Sequence, residues 1–160
     1  MSKHTISVLV ENHSGALSRI SGLFSARGFN ISSLSVAETD DPTLSRMTIV
    51  VSGDNKEIDQ ITKQLNKLID VVKVLDFSEN ERVERELMLL TVNVTAAKRH
   101  EIVGIVQIFH GFVLAVSQNE MTIELSETAD RLLSFIDLLR PYGIKEIARS
   151  GPIALSRARL

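Results

Sequence analysis

From Thr5 to Phe77 the apolar residues switch between alternate spacing and helical spacing in the order strand, helix, strand, strand, helix, strand. The spacing predicts strands at Thr5–Val10, Asn30–Ala37, Ser45–Ser52 and Val71–Phe77, with helices at Ala16–Arg27 and Lys56–Leu68. The same order recurs without detectable sequence identity: strands at Leu87–Val94, Phe112–Ser117, Met121–Ser126 and Lys145–Ala148, helices at Lys98–Phe109 and Ala129–Arg140. Between the halves, the stretch Ser78 to Glu86 is almost wholly polar with mixed charges, as a solvated connector would be. Two domains follow, residues 1–78 and 79–160, each an α+β βαββαβ unit of the ferredoxin-like type in tandem. Local punctuation agrees: Asp54 with Glu57 forms a capping-box pattern, and Pro141, Tyr142 and Gly143 end the last helix.

Composition narrows the chemistry. With 44% hydrophobic residues in 160, the chain can bury cores, and no apolar run approaches the roughly 20 residues that span a bilayer. The first residues carry no apolar leader, so a cytoplasmic location is expected. Zero cysteines exclude disulfides, thiol nucleophiles and thiolate metal sites. A net charge of −2 gives no broad attraction to nucleic acid or anionic membrane.

Between the first strand and the first helix, Asn12, His13, Ser14 and Gly15 interrupt the apolar pattern, and Ala16 and Leu17 open the helix. The first N–H groups of a helix lack intrahelical partners and carry partial positive charge, so a small carboxylate is stabilised there, with Gly15 allowing close backbone approach. The bland alternative is an ordinary turn with Ser14 as the helix cap.

This loop and helix resemble those of ACT domains, small modules that bind amino acids between paired subunits. More of the chain extends the likeness: Asn12 to Ile31, TDDPTLSRMTIVV at Thr39 to Val51, VEREL at Val83 to Leu87 and ARSGPIALSR at Ala148 to Arg157 are similar to the regulatory small subunits of acetohydroxyacid synthase. The resemblance implies that the first unit is an ACT domain which dimerises. It places an effector, L-valine or another branched-chain amino acid, at Asn12, His13, Ser14, Gly15, Ala16, Leu17, Asn30 and Ile31, where Leu17 and Ile31 line the apolar part and Asn12 orients the polar end. It implies a non-catalytic subunit that activates the catalytic large subunit and confers feedback inhibition. Thiamine diphosphate, FAD and magnesium are then expected only on that large subunit, and none here. The strand carrying Arg46, Met47 and Ile49 becomes a candidate contact for it.

Other constellations are weaker. His4, His13, His100 and His110 are scattered, with no spacing that gathers metal ligands, so surface positions are expected for most. Glu38, Asp40 and Asp41 read as a solvated turn before Pro42 rather than a cation site. Arg149, Arg157 and Arg159 flank a Ser-Gly-Pro turn that could form a basic tail. An acylphosphatase-like hydrolase would need an Arg in the first loop, and Arg19 lies a turn into the helix instead. An RNA-binding unit of this topology would stack bases on strand aromatics, which a 4% aromatic content does not supply. A free-standing amino-acid sensor acting on another enzyme is the nearest competitor.

Overall fold

The computed structural model describes residues 2–77 and 82–159. In the first unit, β1 (Ser2–Glu11), α1 (Ala16–Ala26), β2 (Ile31–Glu38), β3 (Leu44–Gly53), α2 (Asn55–Leu65) and β4 (Val71–Asp76) follow the expected order. The strands form an antiparallel sheet in the order β2-β3-β1-β4. Alternation on β1 sends Ile6, Val8 and Val10 to one face, where they meet Met47, Ile49 and Val51 of β3. Ile20 and Phe24 of α1 and Ile58, Ile61 and Leu65 of α2 close over them at helical spacing. The capping box is formed: the Glu57 N–H donates to Asp54 Oδ1 at 2.8 Å, and the Asp54 N–H donates to Glu57 Oε2 at 2.9 Å.

The second unit repeats the plan with β5 (Arg82–Asn93), α3 (Arg99–Ile108), β6 (Phe112–Val116), β7 (Glu120–Glu127), α4 (Ala129–Leu139), a single 3-10 turn (Arg140–Tyr142) and β8 (Ile144–Arg149). Its sheet order is β6-β7-β5-β8. Met88, Leu90 and Val92 of β5 and Met121, Ile123 and Leu125 of β7 face Ile102, Val106, Leu132, Phe135 and Leu139 from the helices. The rings of Phe109 and Phe135 meet edge to face at 5.3 Å, the arrangement their quadrupoles favour.

The structure departs from the sequence reading in two linked places. Arg82 to Glu86, expected as connector, are strand, and a further strand β9 (Ile153–Ser156) pairs with β5. By its contacts the chain divides into 1–84 together with 152–160, and 85–151. The expected boundary at residues 78 and 79 lies outside the described residues. Within the first unit β9 lies against β1 and β3, and Ala154 is buried. Thr5, Ser7, Thr48 and Val50, on the face of the first sheet opposite the helices, are buried as well. That sheet is therefore covered on both sides in its middle. Small side chains such as Ser7 and Thr48 suit a layer that backbone approaches closely.

The loop at the start of the first helix

β1 delivers the chain to the loop at Glu11, and the loop is pinned from both sides. The Glu11 N–H donates to the Asp70 carbonyl at 2.8 Å and the Asn12 N–H to the Thr43 carbonyl at 2.7 Å. Gly15 then takes φ +86, a left-handed conformation that a side chain disfavours, and serves as the N-cap of α1 with no side-chain cap. Ser14 is thus not the cap. The Ala16 N–H turns back to the His13 carbonyl at 3.2 Å and the Arg19 N–H to the Gly15 carbonyl at 3.0 Å. Leu17 and Ser18 sit in the positions whose N–H groups have no intrahelical acceptor, so the helix opens with uncapped donors.

The side chains around this opening form a charged ring. Arg19 Nε donates to Asp70 Oδ2 at 2.8 Å, and His13 Nε2 lies 2.8 Å from Glu11 Oε2. Glu11, His13 and Asp70 bring their ligand-type atoms within 4.8 Å of one another, a histidine–carboxylate cluster that spacing along the chain did not suggest. Asp70 arrives from the turn before β4, which is why local spacing is blind to it. Arg19 neutralises Asp70, so it is a structural cation rather than a free anion receptor. Its guanidinium passes 3.5 Å from where a Gly15 Cβ would stand.

Asn12, expected to orient a ligand, spends its amide on the chain. Nδ2 donates to Glu38 Oε1 at 3.2 Å and to the Pro42 carbonyl at 3.1 Å, leaving Oδ1 without a partner among the described residues. The hairpin it holds is further locked by Asp41, whose Oδ1 accepts from the Thr43 N–H at 2.9 Å and the Thr43 hydroxyl at 2.7 Å. Those two bonds, the hydroxyl's first, hold the Asp41 carboxyl below its ordinary value. The acidic turn is thus a brace for the loop. Leu17 is exposed, while Ile31 is partly buried against the helix-side core instead of lining an open pocket beside Leu17.

Register separates the expected site residues. Asn12 follows Glu11, which pairs with Leu44 at one end of β3, whereas Ile31 pairs with Val51 near the other end. At about 3.3 Å per residue, Asn30 and Ile31 stand roughly 20 Å from Asn12 along the sheet. The structure thus gathers Asn12, His13, Ser14, Gly15, Ala16 and Leu17, and sets Asn30 and Ile31 apart.

His13, His100 and His110 are exposed, as expected for most of the histidines, while His4 is buried at 5% exposure on β1, with Nε2 3.1 Å from the Ser2 hydroxyl. Met47 and Ile49 are core residues with no surface to offer a partner, and Arg46 Nη1 donates to the Ser7 hydroxyl at 3.1 Å. Arg149 is no tail residue: Nε and Nη2 donate to the two oxygens of buried Glu86 at 3.0 and 2.8 Å, and the Gly151 N–H donates to Oε1 at 3.1 Å. Beside this clasp, Leu87 and Ser150 pair twice, the Ser150 N–H to the Leu87 carbonyl at 3.0 Å and the Leu87 N–H to the Ser150 hydroxyl at 3.1 Å. VEREL and ARSGP are two halves of one device, which neither segment reveals alone. No helix among the described residues is long and apolar enough to cross a membrane.

Comparison with known proteins accounts for both units. Residues 6–73 match the family model of the AHAS small subunit-like ACT domain, and residues 85–158 that of the small subunit of acetolactate synthase. The chain is 52% identical over 155 residues to a probable acetolactate synthase small subunit of Archaeoglobus fulgidus, covering 97% of each. It is 51% identical to the acetolactate synthase small subunit of Haemophilus influenzae, covering 97% of this chain and 96% of the relative. The crystal structure of the acetolactate synthase small subunit from Thermotoga maritima superposes with a TM-score of 0.90 at 40% identity, covering all of both chains.

Proposed function

The chain belongs to the family of acetolactate synthase small subunits, and from that premise we propose that it is a regulatory, non-catalytic subunit which activates the catalytic large subunit and makes it sensitive to a branched-chain amino acid. Valine is the effector the resemblance favours. The start of α1 behind Gly15 carries the reading: it offers backbone donors and partial positive charge to an amino-acid carboxylate, and no side chain caps those donors.

The roughly 20 Å between Asn12 and Asn30 along one sheet supports the proposal that the effector sits between two copies. An amino acid is too short to touch both on one chain. A homodimer in which one copy supplies the loop and its partner the start of β2 would bring both to a single ligand. Thiamine diphosphate, FAD and magnesium then belong to the large subunit, in the cytoplasm, and no step of the chemistry falls to this chain. Control is linkage: effector and large subunit each prefer one arrangement of the dimer, and a coupling of about 1–3 kcal/mol changes the active population roughly 5- to 150-fold.

Calorimetric titration with L-valine, L-leucine, L-isoleucine and D-valine tests this. Selective, saturable binding of one L-isomer is expected, and Gly15→Asp should abolish it while leaving activation of the large subunit intact, because the new carboxylate would occupy the donors the ligand needs. Equal binding by Gly15→Asp, or no binding by either the free protein or its complex with the large subunit, would overturn the reading. A stand-alone sensor would bind the amino acid and fail to co-purify with that subunit.

A further inference from the structure

In the second unit, the corner between the end of β5 and the start of α3 occupies the same place in the topology as the loop of the first unit. A cavity of about 390 Å³ opens there, lined by Asn93, Thr95, Lys98, Glu101, Pro141 and Tyr142. That volume falls within the range of small-molecule sites. Its walls carry both signs of charge in close register. Lys98 Nζ lies 3.3 Å from Glu101 Oε1, and the Tyr142 hydroxyl donates to Glu101 Oε2 at 2.7 Å. Lys98 is the N-cap residue of the ten-residue α3, and no side chain caps that helix.

The titrating groups are tuned to hold these charges. The Tyr142 hydroxyl, and after it Lys98, keeps the Glu101 carboxyl below its ordinary value, so it is ionised. The same hydrogen bond pushes Tyr142 up, so it remains a donor. Lys145, one strand away, is raised by its hydrogen bond to Glu120, the residue paired with Asn93.

We infer that this cavity is a second binding site, for a free α-amino acid held as its zwitterion. The ligand carboxylate meets the Lys98 ammonium and the positive end of α3, and the ligand ammonium meets Glu101. The side chain rests against Pro141 and the Tyr142 ring. A simple carboxylate uses only Lys98 and a simple amine only Glu101, so a molecule bearing an ammonium and a carboxylate on one carbon engages both members of the pair. The inference is independent of the first-unit site.

Tyr142 is the only tyrosine and the chain has no tryptophan, so tyrosine emission reports on this cavity alone. Its hydrogen bond to a carboxylate quenches that emission, and a ligand ammonium drawing on Glu101 alters the quenching. The full chain is titrated with each of the non-aromatic free amino acids, with their amides and with their N-acetyl forms. A saturable change with one or more free amino acids, and none with the blocked forms, is expected. Lys98→Met should weaken it on the order of tenfold or more, and Lys98→Arg should restore it. Gly15→Asp should leave the midpoint unchanged. Absence of any saturable change would overturn the inference, as would a response that Lys98→Met leaves intact. A response lost in Gly15→Asp and kept in Lys98→Met would also overturn it, while supporting the first-unit site.

Discussion

Replacing Arg149 by Met should destabilise the protein by about 2–3 kcal/mol. The side chain supplies two of the three donors that reach the Glu86 carboxylate, at 3.0 and 2.8 Å, and leaves it only the Gly151 N–H at 3.1 Å. Stripping the partner from a buried charge typically costs about 3–5 kcal/mol. Here the Arg149 side chain is 37% exposed while that of Glu86 is 2% exposed, so water reaches one flank of the pair and the lower figure applies. At about 2–4 °C per kcal/mol for a chain of this size, the melting temperature should fall by roughly 5–10 °C. Urea unfolding of the wild type, Arg149→Met, Glu86→Gln and the double variant closes a cycle. If the carboxylate is what Arg149 serves, its loss should cost less than about 1 kcal/mol in the Glu86→Gln background. Hydrogen exchange should show the Ser150 amide and β9 opening before the core of either unit. The same cost in both backgrounds, or a cost under about 0.5 kcal/mol, would refute the role given to the clasp.

Other outcomes are equally direct. Asp54→Ala removes one half of the capping box and should cost about 1 kcal/mol, read by urea unfolding. Asp41 has a folded-state value below its unfolded one, so it contributes stability that is present above the unfolded value and lost as pH falls through the folded value. Thr43→Val removes the larger cause, and an NMR titration should show the Asp41 midpoint moving back up toward the ordinary carboxylate range.

The parts of the fold that were legible from sequence are those in which neighbours along the chain decide the outcome. The Asp54–Glu57 capping box spans three residues, and the alternation of Ile6, Val8 and Val10 needs only the pleat to become a core face. What escaped depends on partners far away in sequence. β9 has four residues and no periodicity of its own, and is a strand because β5 receives it. Ser7 and Thr48 are polar, and are interior because a segment more than a hundred residues onward packs against their strands. In the loop, the backbone logic of Gly15 was readable, since a small residue between a strand and a helix leaves few conformations. The destination of the Asn12 amide was not, because Glu38 and Pro42 meet it only once β2 and β3 have paired. Asn12 and Asn30 read as neighbours in function, and only the register of β3 reveals that one chain holds them at opposite ends.

The membership of residues 152–160 in the first unit has a consequence for how the molecule comes into being. A ribosome makes the first seventy-seven residues early, yet the last strand to emerge is one that this unit needs. The unit begun first is thus finished last, after the second has been made in full, and a fragment that stops at residue 77 lacks the cover β9 gives its sheet. Anyone grafting the first unit onto another protein should therefore carry residues 152–160 along with it, joined back as a seventh element or supplied as a separate peptide.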